Sequence, residues 1–276
     1  MTKTPFQSWL TRWRLTPDGD AFTTRFGSRL APVRTADGAA AMLKIAGHPE
    51  EARGGLLMAW WAGDGAAKVL AHEGDAILLE RLEDGRSLAA MALGGQDDEA
   101  TKVLCACAAK LHTPRAAPPP ASLVPLDVWF AALFDAAPRE GGVFARAEPI
   151  ARTLLAQPRE PVVLHGDLHH DNVLEGGVLD GGSRGWLAID PKGLIGERGF
   201  DYANLFRNPT IELALAPGRM QRQIEVVTRA ADIEPQRLLQ WIVTYAALGA
   251  AWSLQSGHDP APGLAIAEMA ERLLPD

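Results

Sequence analysis

The segment His165-Gly166-Asp167-Leu168-His169-His170-Asp171-Asn172 places an aspartate and an asparagine five residues apart, between the apolar runs Val162 to Leu164 and Val173-Leu174. Those residue types at that interval suit phosphoryl transfer. The aspartate takes the proton of an acceptor hydroxyl, and the asparagine, one loop further on, faces a metal that bridges nucleotide phosphates. Downstream, Leu187-Ala188-Ile189-Asp190 ends an apolar run in a carboxylate. The glycine-rich stretch from Glu175 to Gly185 would fold this run back antiparallel on Val173-Leu174, setting Asn172 and Asp190 side by side. One amide oxygen and one carboxylate suit Mg²⁺, which fills its remaining positions with phosphate and water. Asp167 is thus the expected base, and Asn172 and Asp190 are the expected metal ligands.

The N-terminal segment supplies the complementary charge. Met42-Leu43-Lys44-Ile45 sets a single lysine on the third strand of a meander that begins near Phe22 and turns at Asp37-Gly38. Lys44 would hold the α- and β-phosphates of ATP. Pro49-Glu50-Glu51 opens a helix that runs to about Trp61 before Gly63, and Glu51 rather than Glu50 is the expected anchor of Lys44. The Phe26-Gly27-Ser28 turn is placed to cover the phosphates, with Ser28 as the contact, although it lacks a Gly-x-Gly-x-x-Gly loop. Two more strands fit Val69 to Ala71 and Ala76 to Leu82. The second runs through Glu80, Arg81 and Leu82 into Glu83-Asp84-Gly85, a hinge whose backbone at Arg81 and Leu82 would meet adenine between walls such as Leu30 and Ile189. Residues 1–82 then form a nucleotide-binding lobe and 83–276 a mostly helical catalytic and acceptor-binding lobe. Helices are expected at Ala100 to His112, Trp129 to Phe134, Ile224 to Ala230 and Leu238 to Leu254. The class is α+β and bilobal.

With those residues in place, the chain resembles the aminoglycoside phosphotransferase and choline kinase superfamily, in its streptomycin 6-kinase branch of aminoglycoside/hydroxyurea resistance kinases. The resemblance covers nearly the whole length. It is carried by Met42-Leu43-Lys44, Leu79-Glu80-Arg81-Leu82, His165 to Leu174, Ala188-Ile189-Asp190-Pro191-Lys192, Phe200-Asp201-Tyr202-Ala203 and Leu205 to Pro209. It implies a protein-kinase-like fold with ATP at the hinge, catalysis by Asp167, magnesium on Asn172 and Asp190, and phosphorylation of streptomycin at its 6-position. Asp171 departs from the family's pattern, where a small residue is usual.

Composition narrows the partners. The 276 residues carry 27 Lys and Arg against 34 Asp and Glu, a net charge of −7, which disfavours nucleic acid or an anionic membrane and favours a cationic acceptor such as an aminoglycoside. Asp167, Glu197 and Asp259 are the acids expected around its cleft. The segment Met1 to Leu10 lacks the apolar core of a secretory signal, and no apolar run approaches the ~20 residues of a membrane span. A cytoplasmic monomer or weak dimer is expected. Cys105 and Cys107 read as packing and Asp201 as a tie beneath the catalytic loop. His165 reads as a loop-orienting residue, His169 and His170 as loop packing or acceptor contacts, and Lys192 as a partner of phosphate or of an acid such as Glu197. Trp241 and Trp252 read as core or pocket wall. Two other readings carry less. The histidine cluster resembles a zinc site only in residue type, and Gly63-Asp64-Gly65 imitates a dinucleotide loop without strand-to-helix context. A silent pseudokinase would lack the lysine, base or metal residues, and all four are present.

Overall fold

A computed structural model of the chain describes residues 6–24, 27–82, 85–176, 178–179 and 182–275. The first part comprises α1 (Gln7–Arg12), β1 (Thr16–Pro17), β2 (Phe22–Thr23), β3 (Arg29–Arg34), β4 (Ala40–Ile45), α2 (Pro49–Trp61), β5 (Val69–Glu73) and β6 (Ala76–Glu80). The strands form one antiparallel sheet in the order β1-β3-β4-β6-β5, with β2 added on β3. Alternation decides what each face does. In β4, Ala41, Leu43 and Ile45 are buried in a small core with Leu15, Val33, Ala76 and Leu78, while Met42 and Lys44 point to the other face. The register pairs Lys44 with Leu30 on one side and Ile77 on the other, and Met42 with Leu79. A lysine is therefore set in an apolar wall.

Helix α2 begins with Pro49 at its first position and Glu50 and Glu51 in its first turn, favourable chemistry at a helix N-terminus. It ends at Trp61, and the left-handed residue that terminates it is Ala62, ahead of Gly63. The helix lies on the segment after Asp190 so closely that a Cβ on Gly54 would stand 2.1 Å from the carbonyl oxygen of Pro191. Only glycine permits that approach.

The second part runs α3 (Leu88–Met91), a π-helical turn (Ala92–Gln96), α4 (Asp97–His112), β7 (Val124–Pro125), α5 (Leu126–Trp129), α6 (Ala131–Glu140), α7 (Gly142–Ala156), β8 (Pro161–Leu164) and β9 (Val173–Glu175). It continues with β10 (Val178–Leu179), β11 (Gly182–Ser183), β12 (Trp186–Ala188), β13 (Leu194–Glu197), α8 (Gly199–Ala203) and a 3₁₀ turn (Asn204–Arg207). The chain closes with α9 (Ile211–Ala214), α10 (Arg219–Ala231), α11 (Pro235–Gln255) and α12 (Ala261–Glu271). Helix α11 forms the axis of this lobe, with Trp241 packed against Phe130 and Phe200, and Tyr245 against Phe200. Strand β13 pairs antiparallel with β8 and parallel with β7, and β12 pairs antiparallel with β9. Both loops expected to carry the chemistry thus leave short β-pairs braced by helices. The expected helix at Trp129 to Phe134 is instead two helices meeting at Phe130, and α7, α12 and β13 join elements read from sequence. No helix among the described residues is long and apolar enough to cross a membrane.

Candidate active site

Gly166 lets the chain leave β8 for the catalytic loop, because its φ of +84° is costly for residues with a side chain. The loop is then fixed from below. Asp201, buried on α8, accepts the backbone N–H of His165 at 2.9 Å and of Gly166 at 2.7 Å, and faces His112 Nε2 at 2.8 Å. Burial opposes its charge, yet the His112 hydrogen bond and the loop amides outweigh that cost and hold its carboxyl below the usual aspartate range. His165 takes the orienting role: its Nδ1 accepts from the Asp167 N–H, which leaves Nε2 to donate to the Ile189 carbonyl at 2.8 Å. Complete burial lowers its basicity and favours this neutral form.

The carboxylate of Asp167 is held by one oxygen and open at the other. Oδ1 accepts from Asn204 Nδ2 at 3.1 Å, and Asn204 is itself held by Asn208. Oδ2 lies 4.0 Å from both His169 Nε2 and Lys192 Nζ, and the side chain is 33% exposed to a cavity of about 790 Å³. An acceptor hydroxyl reaching Oδ2 would find a base already aimed. Asn204, the residue that aims it, went unnoticed in the sequence. The available signal was its position three residues after Asp201, on the same face of one helical turn.

On the other side of the loop, Asn172 donates its amide to the Asp167 carbonyl at 2.9 Å, which leaves its side-chain oxygen as the available donor atom. Ile189 N–H bonds the Asn172 carbonyl and continues the β9–β12 ladder to Asp190, whose left-handed backbone, φ +60°, turns the chain sharply. Asp190 contacts Lys44, and Lys44 also contacts Glu51. Burial works against the Asp190 charge, but Lys44, followed by Lys192 and His165, keeps its carboxyl below the ordinary aspartate range. Asn172, Asp190, Lys44 and Glu51 all line a second cavity of about 280 Å³, walled by Leu30, Met42, Ile77, Leu79, Leu82 and Ile189. One neutral oxygen and one ionised carboxylate converge there in the pairing that a phosphate-bound Mg²⁺ takes.

Several expected contacts fall elsewhere. Ser28 is fully buried and its Oγ accepts the Gly47 N–H at 3.2 Å, because its turn packs down on the Gly47 backbone instead of reaching over the cavity. Thr24 and Phe22 line the cavity there, and Phe26 lies outside the described residues. Glu80 borders the cavity, but its carboxylate is spent on Arg184 and the Lys68 N–H. The Arg81 N–H is already taken by the Ala40 carbonyl at 3.2 Å, since β6 lies between β4 and β5 and offers no free edge at that point. Leu82 lines the wall, and Glu83 and Asp84 lie outside the described residues.

Glu197 is not a cleft acid. It is buried against Arg237 and Trp241 Nε1. Asp259 accepts the Ala261 N–H just before α12, while its neighbour His258 reaches the larger cavity. Lys192 meets Glu50, Glu51 and Asp167, not Glu197. Trp241 is core, whereas Trp252 stands edge-on to Trp129, with centroids 5.4 Å apart, on the wall of the larger cavity. The histidines diverge, with His170 turned into the helical core, where desolvation followed by Arg219 lowers its pKa to about 4. Cys105 and Cys107 are buried, and desolvation pushes both thiols up to about 12.

A family model described as aminoglycoside/hydroxyurea antibiotic resistance kinase matches residues 12–257. The chain belongs to that family. It is a small-molecule kinase that transfers phosphate to an alcohol group. A streptomycin 3''-kinase of Klebsiella pneumoniae is 48% identical over 95% of this chain and 99% of its own. A streptomycin 6-kinase of Streptomyces griseus is 31% identical over 89% of this chain and 81% of its own. The fold is shared with an aminoglycoside phosphotransferase of Streptomyces rimosus, solved in complex with ADP and streptomycin. The TM-score is 0.55 at 20% identity, over 88% of this chain and 98% of that one.

Proposed function

We propose that the protein transfers the γ-phosphoryl group of ATP, with Mg²⁺, to a hydroxyl of streptomycin and so confers resistance to it. The observation that carries this reading is that the two cavities meet at one carboxylate: Glu51 lines both, with Lys44 and Asp190 on one side of it and Lys192 and Asp167 on the other. The smaller, largely apolar cavity suits adenine and ribose, with Leu82 at the hinge. The larger one suits a polar acceptor of the size of an aminoglycoside. Lys44 anchors the phosphates. Asn172 and Asp190 would hold the metal, which when bound draws charge from the phosphates.

In the transfer, the bond from the γ-phosphorus to the bridging oxygen breaks and its electron pair leaves with ADP. The bond to the acceptor oxygen forms, and the acceptor proton passes to Asp167 Oδ2. Asn204 keeps that oxygen in place through the other arm of the carboxylate. Positioning and charge supply most of the rate in such chemistry, and the base typically adds ~10²–10⁴-fold.

The sequence resemblance implies the 6-hydroxyl. A second regiochemistry, the 3''-hydroxyl, is favoured by the 48% identity to a streptomycin 3''-kinase. The test is ADP release with MgATP across streptomycin, other aminoglycosides and hydroxyurea, followed by NMR of the product. Streptomycin-dependent turnover supports the reading and the phosphorylated carbon settles the position. Turnover on another acceptor and none on streptomycin overturns the substrate assignment.

A further inference from the structure

Lys192 sits where the two cavities join. Its ammonium lies 3.1 Å from Glu50, 3.8 Å from Glu51 and 4.0 Å from Asp167. Glu51 turns its other oxygen to Lys44, so a single carboxylate separates the two ammonium groups. The side chain is 15% exposed and borders the larger cavity.

Holding the lobes together does not require this ammonium. The Lys192 carbonyl already does so, accepting Arg53 Nε from α2 at 3.1 Å, while its N–H donates to the His165 carbonyl at 2.7 Å within its own lobe. The ammonium is left with an electrostatic task. A phosphoryl group leaving Lys44 for an oxygen at Asp167 carries negative charge toward a base that is itself anionic, with Glu50 and Glu51 alongside. Without a cation on that side, each step of the approach is repulsive. Among the described residues, Lys192 is the one lysine or arginine within ion-pair distance of Asp167.

We infer that Lys192 is a second catalytic cation of the transfer, exchanging its carboxylate partners for the equatorial oxygens of the phosphoryl group as that group passes from the nucleotide to the acceptor. Lys44 serves the group at departure and Lys192 serves it at arrival. The acceptor proton still goes to Asp167 and the electron pair of the broken bond still goes to ADP, so Lys192 exchanges neither. This rests on the phosphotransferase reading above.

The test compares binding of MgADP alone with binding of MgADP plus fluoroaluminate, a mimic of the phosphoryl group in flight, by calorimetry. It uses the full-length protein and its Lys192→Met, Lys192→Arg and Arg53→Ala variants, with melting curves to confirm folding. The expected result is that Lys192→Met loses about 10²-fold of the extra affinity for the mimic and keeps MgADP binding within about twofold. Lys192→Arg should recover most of it, because the charge is retained. Arg53→Ala, which cuts the lobe tie but spares the ammonium, should tighten on the mimic like wild type. In turnover, Lys192→Met should lower kcat with little change in either KM. The inference is overturned if Lys192→Met binds the mimic as wild type does, or if it loses MgADP affinity in equal measure, as a structural tie would. If wild type itself shows no tightening on the mimic, the phosphotransferase reading fails first.

Discussion

The cavity at Asn172 and Asp190 has one wall of β3, β4 and β6 held in register and is closed by α2 and the turn at Ile189 to Pro191, whereas the cavity at Asp167 is lined by the first turn of α2, α5, the catalytic loop, the 3₁₀ turn and the far end of α11. In the first, Leu30, Lys44 and Ile77 are neighbours because a ladder of backbone hydrogen bonds makes them so. In the second, Trp129, Tyr245 and Trp252 become neighbours through helix packing over more than a hundred residues of chain. A strand-built wall changes little when one side chain changes, which suits the invariant part of the reaction. A helix-built wall can be altered residue by residue, which suits a variable acceptor.

This contrast can be broken most forcefully at the base. Asp167→Asn should lower kcat by about 10²–10⁴-fold while leaving MgADP affinity nearly unchanged, because Asp167 lines the larger cavity and not the one proposed for the nucleotide. Paired turnover and calorimetry check it, and an equal loss of nucleotide binding would erase the distinction between the cavities. Lys44→Met should act from the other side, raising the KM for ATP and lowering kcat by roughly 10²-fold, with acceptor binding measured by calorimetry unaltered.

A smaller effect belongs to the support shared by both cavities. Asp201→Asn removes a charge that receives two backbone amides and His112, and should cost about 2 kcal/mol of stability, read in denaturant melts, with kcat falling alongside. On the acceptor wall, Trp252→Ala should raise the acceptor KM about 3- to 10-fold and leave that for ATP alone.

The smallest effect is in pH. Burial opposes the charge of Asp97, Glu197 and Asp201, but Arg219, Arg237 and His112 prevail and keep all three carboxyls below their ordinary values. A lowered folded pKa means the unfolded chain takes the proton first. The stability these groups give is therefore complete above the usual carboxylate range and is lost as pH falls through their folded values. Melting temperature should drop below about pH 4, and Asp97→Asn should make that drop shallower.

The same contrast explains what could be read from sequence. The placement of Lys44, Asn172 and Asp190 around one cavity was legible because strand alternation and a hairpin convert sequence spacing directly into position. The tie from Asp201 to the catalytic loop was legible for a related reason, the fixed order of loop and helix. Ser28 and Glu197 were misplaced because each is decided by a distant partner, Gly47 for one and Arg237 for the other. Arg81 looked like a free edge because spacing does not say which strand will lie on either side of β6. The partners of Lys192 and the Trp129–Trp252 wall arise from the packing of α2, α5 and α11, for which no local pattern exists.

The most direct measurement is a crystal structure of the protein with Mg²⁺, a non-hydrolysable ATP analogue and streptomycin bound together. The adenine should lie against Leu30 and Ile189, the α- and β-phosphates near Lys44, the terminal phosphate toward Asp167, and one streptomycin hydroxyl within hydrogen-bonding reach of Asp167 Oδ2. A complex in which the nucleotide occupies the strand-walled cavity but every streptomycin hydroxyl lies out of reach of Asp167 would contradict the shared reaction path between the cavities.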